Sequence, residues 1–164
     1  MKKILMLIGF LISIHAIAGD TAKLYHPEAN VEKDVAELLK KAKKENKNVM
    51  LQIGGNWCIW CYRFHDFVEN DKELKEVLEK NYVVYHLNYS KENTNYSYLK
   101  KLGFPQRFGF PVFVILDKDG KEIHTQDSGL LEEGRNSTSY NKEKVKTFFQ
   151  NWSTDAFNEA NYKE

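Results

Sequence analysis

Apolar positions recur along the chain in two rhythms, one helical and one strand-like. In residues 31–46, Val31, Val35, Leu38, Leu39 and Ala42 fall on one face, and lysines fill the face opposite. That spacing predicts an amphipathic helix with a solvated basic side. A short apolar run follows at Val49, Met50, Leu51, Gln52 and Ile53, and Gly54, Gly55 and Asn56 break it. This predicts a buried strand ending in a turn. Residues 59–68 carry no glycine or proline and many large apolar side chains, which predicts a second helix. Asp71 is placed to cap a third over residues 72–80, with Leu74, Val77 and Leu78 inward.

The second half reads in the same way. Residues 82–88 predict a strand, 90–95 a polar loop, and 96–102 a short helix that Gly103 ends. Residues 111–116 predict another strand; Asp117, Lys118, Asp119 and Gly120 form a turn, and 121–125 return as a hairpin. A long loop over 129–140 leads to a closing helix over 142–152, with Val145, Phe148 and Phe149 inward. Residues 25–30 read as an irregular lead-in, and the tail after Ser153 is polar. A helix joining two central strands favours parallel pairing, and the final hairpin adds antiparallel edges. The fold class is α/β, a central mixed four-stranded sheet flanked by helices.

The first residues change the picture of where this domain works. Met1, Lys2 and Lys3 form a basic start, residues 4–14 an apolar core, and Ala16 and Ala18 supply small residues for a peptidase. Residues 1–18 therefore read as a secretory signal peptide, too short in its apolar part for a membrane span. No cysteine stands directly after Ala18, where cleavage is expected, so a lipid anchor is not expected. The segment holds two lysines and no acid, so without it the formal charge of +1 becomes −1. A near-neutral balance argues against nucleic acid and anionic membrane partners. The remaining domains are a lead-in over 19–30, one globular domain over 31–152 and a polar tail over 153–164.

The chain has two cysteines, Cys58 and Cys61, in the run Trp57, Cys58, Ile59, Trp60, Cys61. Two thiols separated by two residues can close a small disulfide ring, and here they fall where a strand hands over to a helix. At a helix N-terminus, free N–H groups and the helix dipole favour negative charge, so the Cys58 pKa is expected below the free value of about 8.5. Cys61, one turn further in, is expected to be more buried and to act as the resolving thiol. A purely structural disulfide is the alternative. With an exported context, where disulfides persist, the redox reading is the stronger.

With Trp57-Cys58-x-x-Cys61 after the first core strand and Phe110-Pro111 opening the strand before the hairpin, residues 31–152 resemble the thioredoxin superfamily. Its secreted bacterial members with a Trp-Cys-x-x-Cys motif are the nearest in pattern. The resemblance implies a thioredoxin-like fold and a redox-active centre at Cys58 and Cys61. It also implies a cis Phe110–Pro111 bond beside the disulfide, shaping a groove where a substrate strand pairs with the backbone at Phe110. Trp57, Ile59, Trp60, Phe110 and Pro111 become the candidate substrate-binding residues, Trp60 being bulky enough to cover the sulfurs. Phe104 and Phe108 are further candidates for the same groove.

Two positions depart from the family pattern. Ile59 and Trp60 between the cysteines include no cation, which implies a moderate potential within the span of about −270 to −120 mV. Gln52 stands where thioredoxin carries a buried acid, and an amide cannot shuttle the proton of the resolving thiol. His65, four residues beyond Cys61, could join the two thiolates around zinc or copper, although an exposed helical histidine is the commoner case.

The function expected is an exported thiol–disulfide oxidoreductase, periplasmic or extracellular, acting as reductase or isomerase with no cofactor beyond the Cys58–Cys61 disulfide. Its partners would be protein or peptide disulfide and thiol substrates and a redox protein that recycles the dithiol, with no stable membrane insertion after signal cleavage. A thioredoxin-fold metal carrier, or a partner-binding domain with an idle disulfide, is the alternative from another class.

Overall fold

Short polar side chains set the helix starts. In the computed structural model, which describes residues 23–163, Asn30 opens α1 (Val31–Glu45) by accepting from Lys33 N at 3.0 Å. Asp71 opens α3 (Lys72–Asn81) by accepting from Glu73 N and Leu74 N, and Asn141 opens α5 (Lys142–Asn151) through Lys144 N. Each cap satisfies an N–H that the first helical turn leaves without a partner. Cys58 takes the same place before α2 (Ile59–Glu69). A short α4 (Tyr96–Lys101) completes the helices. The expected signal peptide lies outside the described residues.

The sheet holds β1 (Asn48–Gly54), β2 (Tyr82–Asn88), β3 (Val112–Leu116) and β4 (Glu122–Asp127) in the order β2-β1-β3-β4. β1 runs parallel to β2, with Asn48 beside Tyr82 and Gly54 beside Asn88. It runs antiparallel to β3, and β3 pairs antiparallel with β4. The fold is thus the mixed four-stranded α/β sheet that the apolar pattern predicts. One detail differs: the strand joined to β1 through helices is an edge strand, and the central pair is β1 and β3. Burial explains the choice, because β1 and β3 are buried along their whole length while Val84, Tyr85 and His86 of β2 are only half-buried.

The two sheet faces carry separate cores. Val49, Leu51 and Ile53 of β1 pack with Val31, Val35 and Ala42 of α1 and Leu99 of α4. Met50 packs on the other side, with Phe64 and Val68 of α2, Leu74 and Leu78 of α3, and Val145, Phe148 and Phe149 of α5. Side chains alternate along a strand, so Gln52 shares the face of Met50 and points toward α2. Fully burying such an aliphatic side chain contributes roughly 1.5–3 kcal/mol, which makes β1 a firm base for the turn that follows it.

Three segments hold more order than their composition predicts. The stretch after β4 winds into a 3₁₀ turn at Ser128–Leu131, and Glu132 then bridges to Tyr140. The polar tail forms 3₁₀ turns at Asp155–Phe157 and Glu159–Tyr162, and Thr154 Oγ1 ties it back to Asn46 O at 3.1 Å. In the lead-in, Tyr25 is completely buried.

Candidate active site

β1 ends at Gly54, and the chain turns through Gly55, Asn56 and Trp57 into Cys58. Both glycines are required by their neighbours. A Cβ on Gly54 would overlap Cys61 Sγ and come within 2.8 Å of the Tyr25 hydroxyl. On Gly55 it would lie 2.7 Å from the Tyr89 carbonyl and strike the Trp57 indole. The turn therefore lets two backbones and a sulfur approach more closely than any side chain permits.

Cys58 is the N-cap of α2, and its Sγ accepts from Cys61 N at 3.2 Å. Cys58 and Cys61 form a disulfide with their Cα atoms 5.3 Å apart. A negative charge arising on Cys58 on reduction would face the free N–H groups of the first turn, the arrangement that lowers a thiol's pKa. Cys58 keeps 4% of its surface exposed and Cys61 none, which matches the expected order of accessibility.

Aromatic residues frame the disulfide. Trp57 (58% exposed) and Ile59 (61%) stand out from the surface beside it. Trp57 Nε1 donates to the Tyr89 carbonyl at 2.8 Å, and its ring meets Phe110 edge-on at 5.2 Å. Phe110 in turn stacks on Tyr89 at 4.9 Å. Phe110 and Trp60 both pack on the buried cluster that contains the two cysteines. The Phe110–Pro111 bond is cis, and Pro111 is buried at the entry to β3. The five residues singled out for substrate contact thus lie around the Cys turn and the start of β3. Phe104 instead pairs with Tyr96, and the Phe108 ring lies under the Arg107 guanidinium. Arg63 sits over the Trp60 ring at 4.8 Å.

Apart from Gln52, sequence reasoning missed the residues that support the site from behind. Asn56 pairs with the Tyr25 backbone in both directions, accepting from its N at 3.1 Å and donating to its carbonyl at 2.8 Å. Tyr62 adds a hydroxyl to Asn56 Oδ1 at 2.9 Å. The lead-in is thereby stapled to the Cys turn, and the Tyr25 ring joins both cysteines in one cluster. Gln52, 2% exposed, donates from Nε2 to the Tyr25 hydroxyl at 2.9 Å and to the Cys61 carbonyl at 3.2 Å. Tyr140 donates to the Trp60 carbonyl at 3.2 Å and meets the Trp60 ring edge-on. A tyrosine in an aperiodic lead-in carries no local signal of such a role; Asn56 could have been noticed only as a turn residue.

His86 closes the far side of this group. Its ring meets Tyr25 edge-on at 5.5 Å and His65 at 5.7 Å. Burial, helped by repulsion from His65, pushes its pKa down from 6.5 to about 4. His65 therefore turns to His86. Among the described residues no group of three or more His, Cys, Asp or Glu side chains is arranged to hold a metal ion.

A disulfide at the start of a helix, a preceding buried strand and a cis-proline at the entry to β3 define an α/β dithiol domain of the thioredoxin type. The chain belongs to the thioredoxin-like domain family, whose model matches residues 35–137, and it is a thiol–disulfide oxidoreductase. Its fold is similar to that of a disulphide isomerase from Xylella fastidiosa Temecula1, at 23% identity and TM-score 0.65, covering 77% of this chain and 93% of that one. It is also similar to the C-terminal domain of DsbD from Neisseria meningitidis. The oxidised form matches at 17% identity and TM-score 0.52 over 75% of this chain and 97% of that one. The reduced form matches at 16% and 0.55 over 76% and 97%. No curated protein is similar enough to count as a match.

Proposed function

We propose that this protein is an exported oxidoreductase that reduces or isomerises protein disulfides, with Cys58 as nucleophile and Cys61 as resolving thiol. The observation that carries this reading is the unequal placement of the two sulfurs. Cys58 caps the helix, at the rim, between exposed Trp57 and Ile59, whereas Cys61 is sealed beneath it. Cys58 thiolate attacks a substrate disulfide and forms a mixed disulfide; Cys61 then attacks Cys58, which frees the reduced substrate and restores the Cys58–Cys61 bond. Trp57, Ile59, Trp60, Phe110 and Pro111 would receive the substrate chain. The apolar, uncharged rim suits an extended peptide better than a small charged disulfide. A second redox protein would recycle the pair.

Export rests on the basic start and apolar core of residues 1–18. No helix among the described residues is long and apolar enough to cross a membrane. The structural neighbours share the fold, and the disulphide isomerase and DsbD names attached to them agree with exchange chemistry on proteins.

The test is a Cys61→Ser variant expressed in its native compartment. It should accumulate mixed disulfides through Cys58 that dithiothreitol releases, and Cys58→Ser should accumulate none. If neither variant forms adducts, the assigned roles are wrong.

A further inference from the structure

The resolving step needs Cys61 as a thiolate, yet Cys61 is completely buried, and burial in an apolar cluster raises a thiol's pKa. Few groups can offset that. Gln52 is a neutral amide, and its Nε2 is committed to the Tyr25 hydroxyl and the Cys61 carbonyl. His86 touches the Tyr25 ring rather than the sulfur. Arg63 lies over Trp60.

Tyr25 is placed differently. Its ring belongs to the same buried cluster as both cysteines. The space above Gly54 that a Cβ would fill is bounded by the Tyr25 hydroxyl on one side and Cys61 Sγ on the other. Oxygen and sulfur therefore both border the same glycine, although no hydrogen bond joins them while the disulfide is closed. The oxygen accepts from Gln52, which leaves the hydroxyl's own proton free to point elsewhere. Among the described residues no acceptor is aligned with that proton. Burial pushes the phenol above its ordinary value, so it stays a donor at any physiological pH.

We propose that the Tyr25 hydroxyl donates a hydrogen bond to the Cys61 thiolate of the reduced protein, with Gln52 holding the oxygen in place, and so sets the rate at which mixed disulfides are resolved. This deepens the oxidoreductase reading and rests on it. A disulfide sulfur is a weak acceptor and a thiolate a charged one, so the bond strengthens when the pair is reduced. In the resolving step the Cys61–Cys58 bond forms as the bond from Cys58 to the substrate sulfur breaks. The electron pair leaves on the substrate sulfur, which takes from water the proton that Cys61 had already released to water. One substrate disulfide becomes two thiols, and the dithiol becomes a disulfide. Tyr25 keeps its proton throughout.

The experiment mixes the reduced mature protein with dithiobis-nitrobenzoate. Cys58 attack releases one thionitrobenzoate, and resolution by Cys61 releases the second. Tyr25→Phe keeps the ring and removes only the hydroxyl. It should slow the second release by about threefold near neutral pH, since a roughly tenfold loss of thiolate is partly offset by the greater nucleophilicity of a less acidic thiol, and leave the first almost unchanged. It should also raise the pH midpoint of the second release by about one unit. A second release with unchanged rate and midpoint would overturn this inference alone. Absence of both releases in the wild type would overturn the roles of Cys58 and Cys61 together with it. Should Tyr25→Phe fail to fold, Cys58→Ser with Tyr25 intact keeps the idea testable. As Cys61 ionises in that protein, a tyrosine near-ultraviolet band should shift in step with the thiolate absorbance, and a band that stays still would sink the proposal.

Discussion

Acidification should weaken the fold through one ring, His86, before the carboxylates are neutralised. His86 lies under Tyr25 and faces His65 and Glu69 from α2 and His26 from the lead-in. Its pKa is near 4 when folded and 6.5 when free, because burial disfavours the charged ring and His65 repels it, with Glu69 offsetting part of this and His26 adding a smaller repulsion. Between those values the unfolded chain binds a proton that the native protein refuses. Stability therefore rises with pH across this window and falls as pH drops through 6.5 toward 4. At about 1.36 kcal/mol per pKa unit, the loss amounts to about 2–3 kcal/mol after discounting the ring's partly solvated edge. His86→Phe keeps an aromatic ring at the wall of the small cavity that His86 lines with Met50, Phe64, Leu78, His65 and Glu69 and removes the titration. Urea unfolding from pH 7.5 to 4 should show the wild type losing about 2–3 kcal/mol more than this variant. Parallel stability curves, within about 0.5 kcal/mol, would refute the assignment of the acid sensitivity to His86.

Gly54→Ala should destabilise by about 1–3 kcal/mol and slow disulfide exchange, since the added Cβ meets Cys61 Sγ and the Tyr25 hydroxyl; an unchanged urea midpoint would contradict that crowding. Asn56→Ala removes both side-chain bonds to the Tyr25 backbone and the Tyr62 contact. The expected cost is about 1–3 kcal/mol, and amide exchange at Tyr25 should accelerate while that of β1 holds. Trp57→Ala should leave stability within about 1 kcal/mol, the ring being largely exposed, but raise KM for a protein disulfide much more than for a small one. Equal effects on both substrates would remove Trp57 from the substrate-binding surface.

Much of this was legible along the chain, and particular elements show why. The strand at Val49 to Ile53, the glycine turn and the helix after Cys58 are each set by neighbours within a few residues, through periodicity, turn chemistry and capping. The same local logic placed Cys58 at the helix N-terminus and Asp71 at the start of α3, where both are found. The pairing of the Cys turn with Phe110 and Pro111 came instead from family resemblance, since no local rule brings residues that far apart together. The edge position of β2 escaped because strand order depends on which strand loses least by leaving one side to solvent. That comparison involves all four strands at once.

The residues around Cys61 mark the boundary most clearly. From the sequence alone come two thiols in order, one at a helix start and one a turn inside, with an amide at Gln52 in place of an acid. Only the tertiary structure decides what that amide faces. Tyr25 reaches Asn56 across 31 positions and Gln52 across 27, and Tyr140 reaches Trp60 across 80. Contacts at such separations are fixed by how the layers pack, and an aperiodic lead-in leaves no pattern from which to read them. The cysteine pair and its chemistry are local properties of the chain; the environment that governs the buried thiol is made by folding.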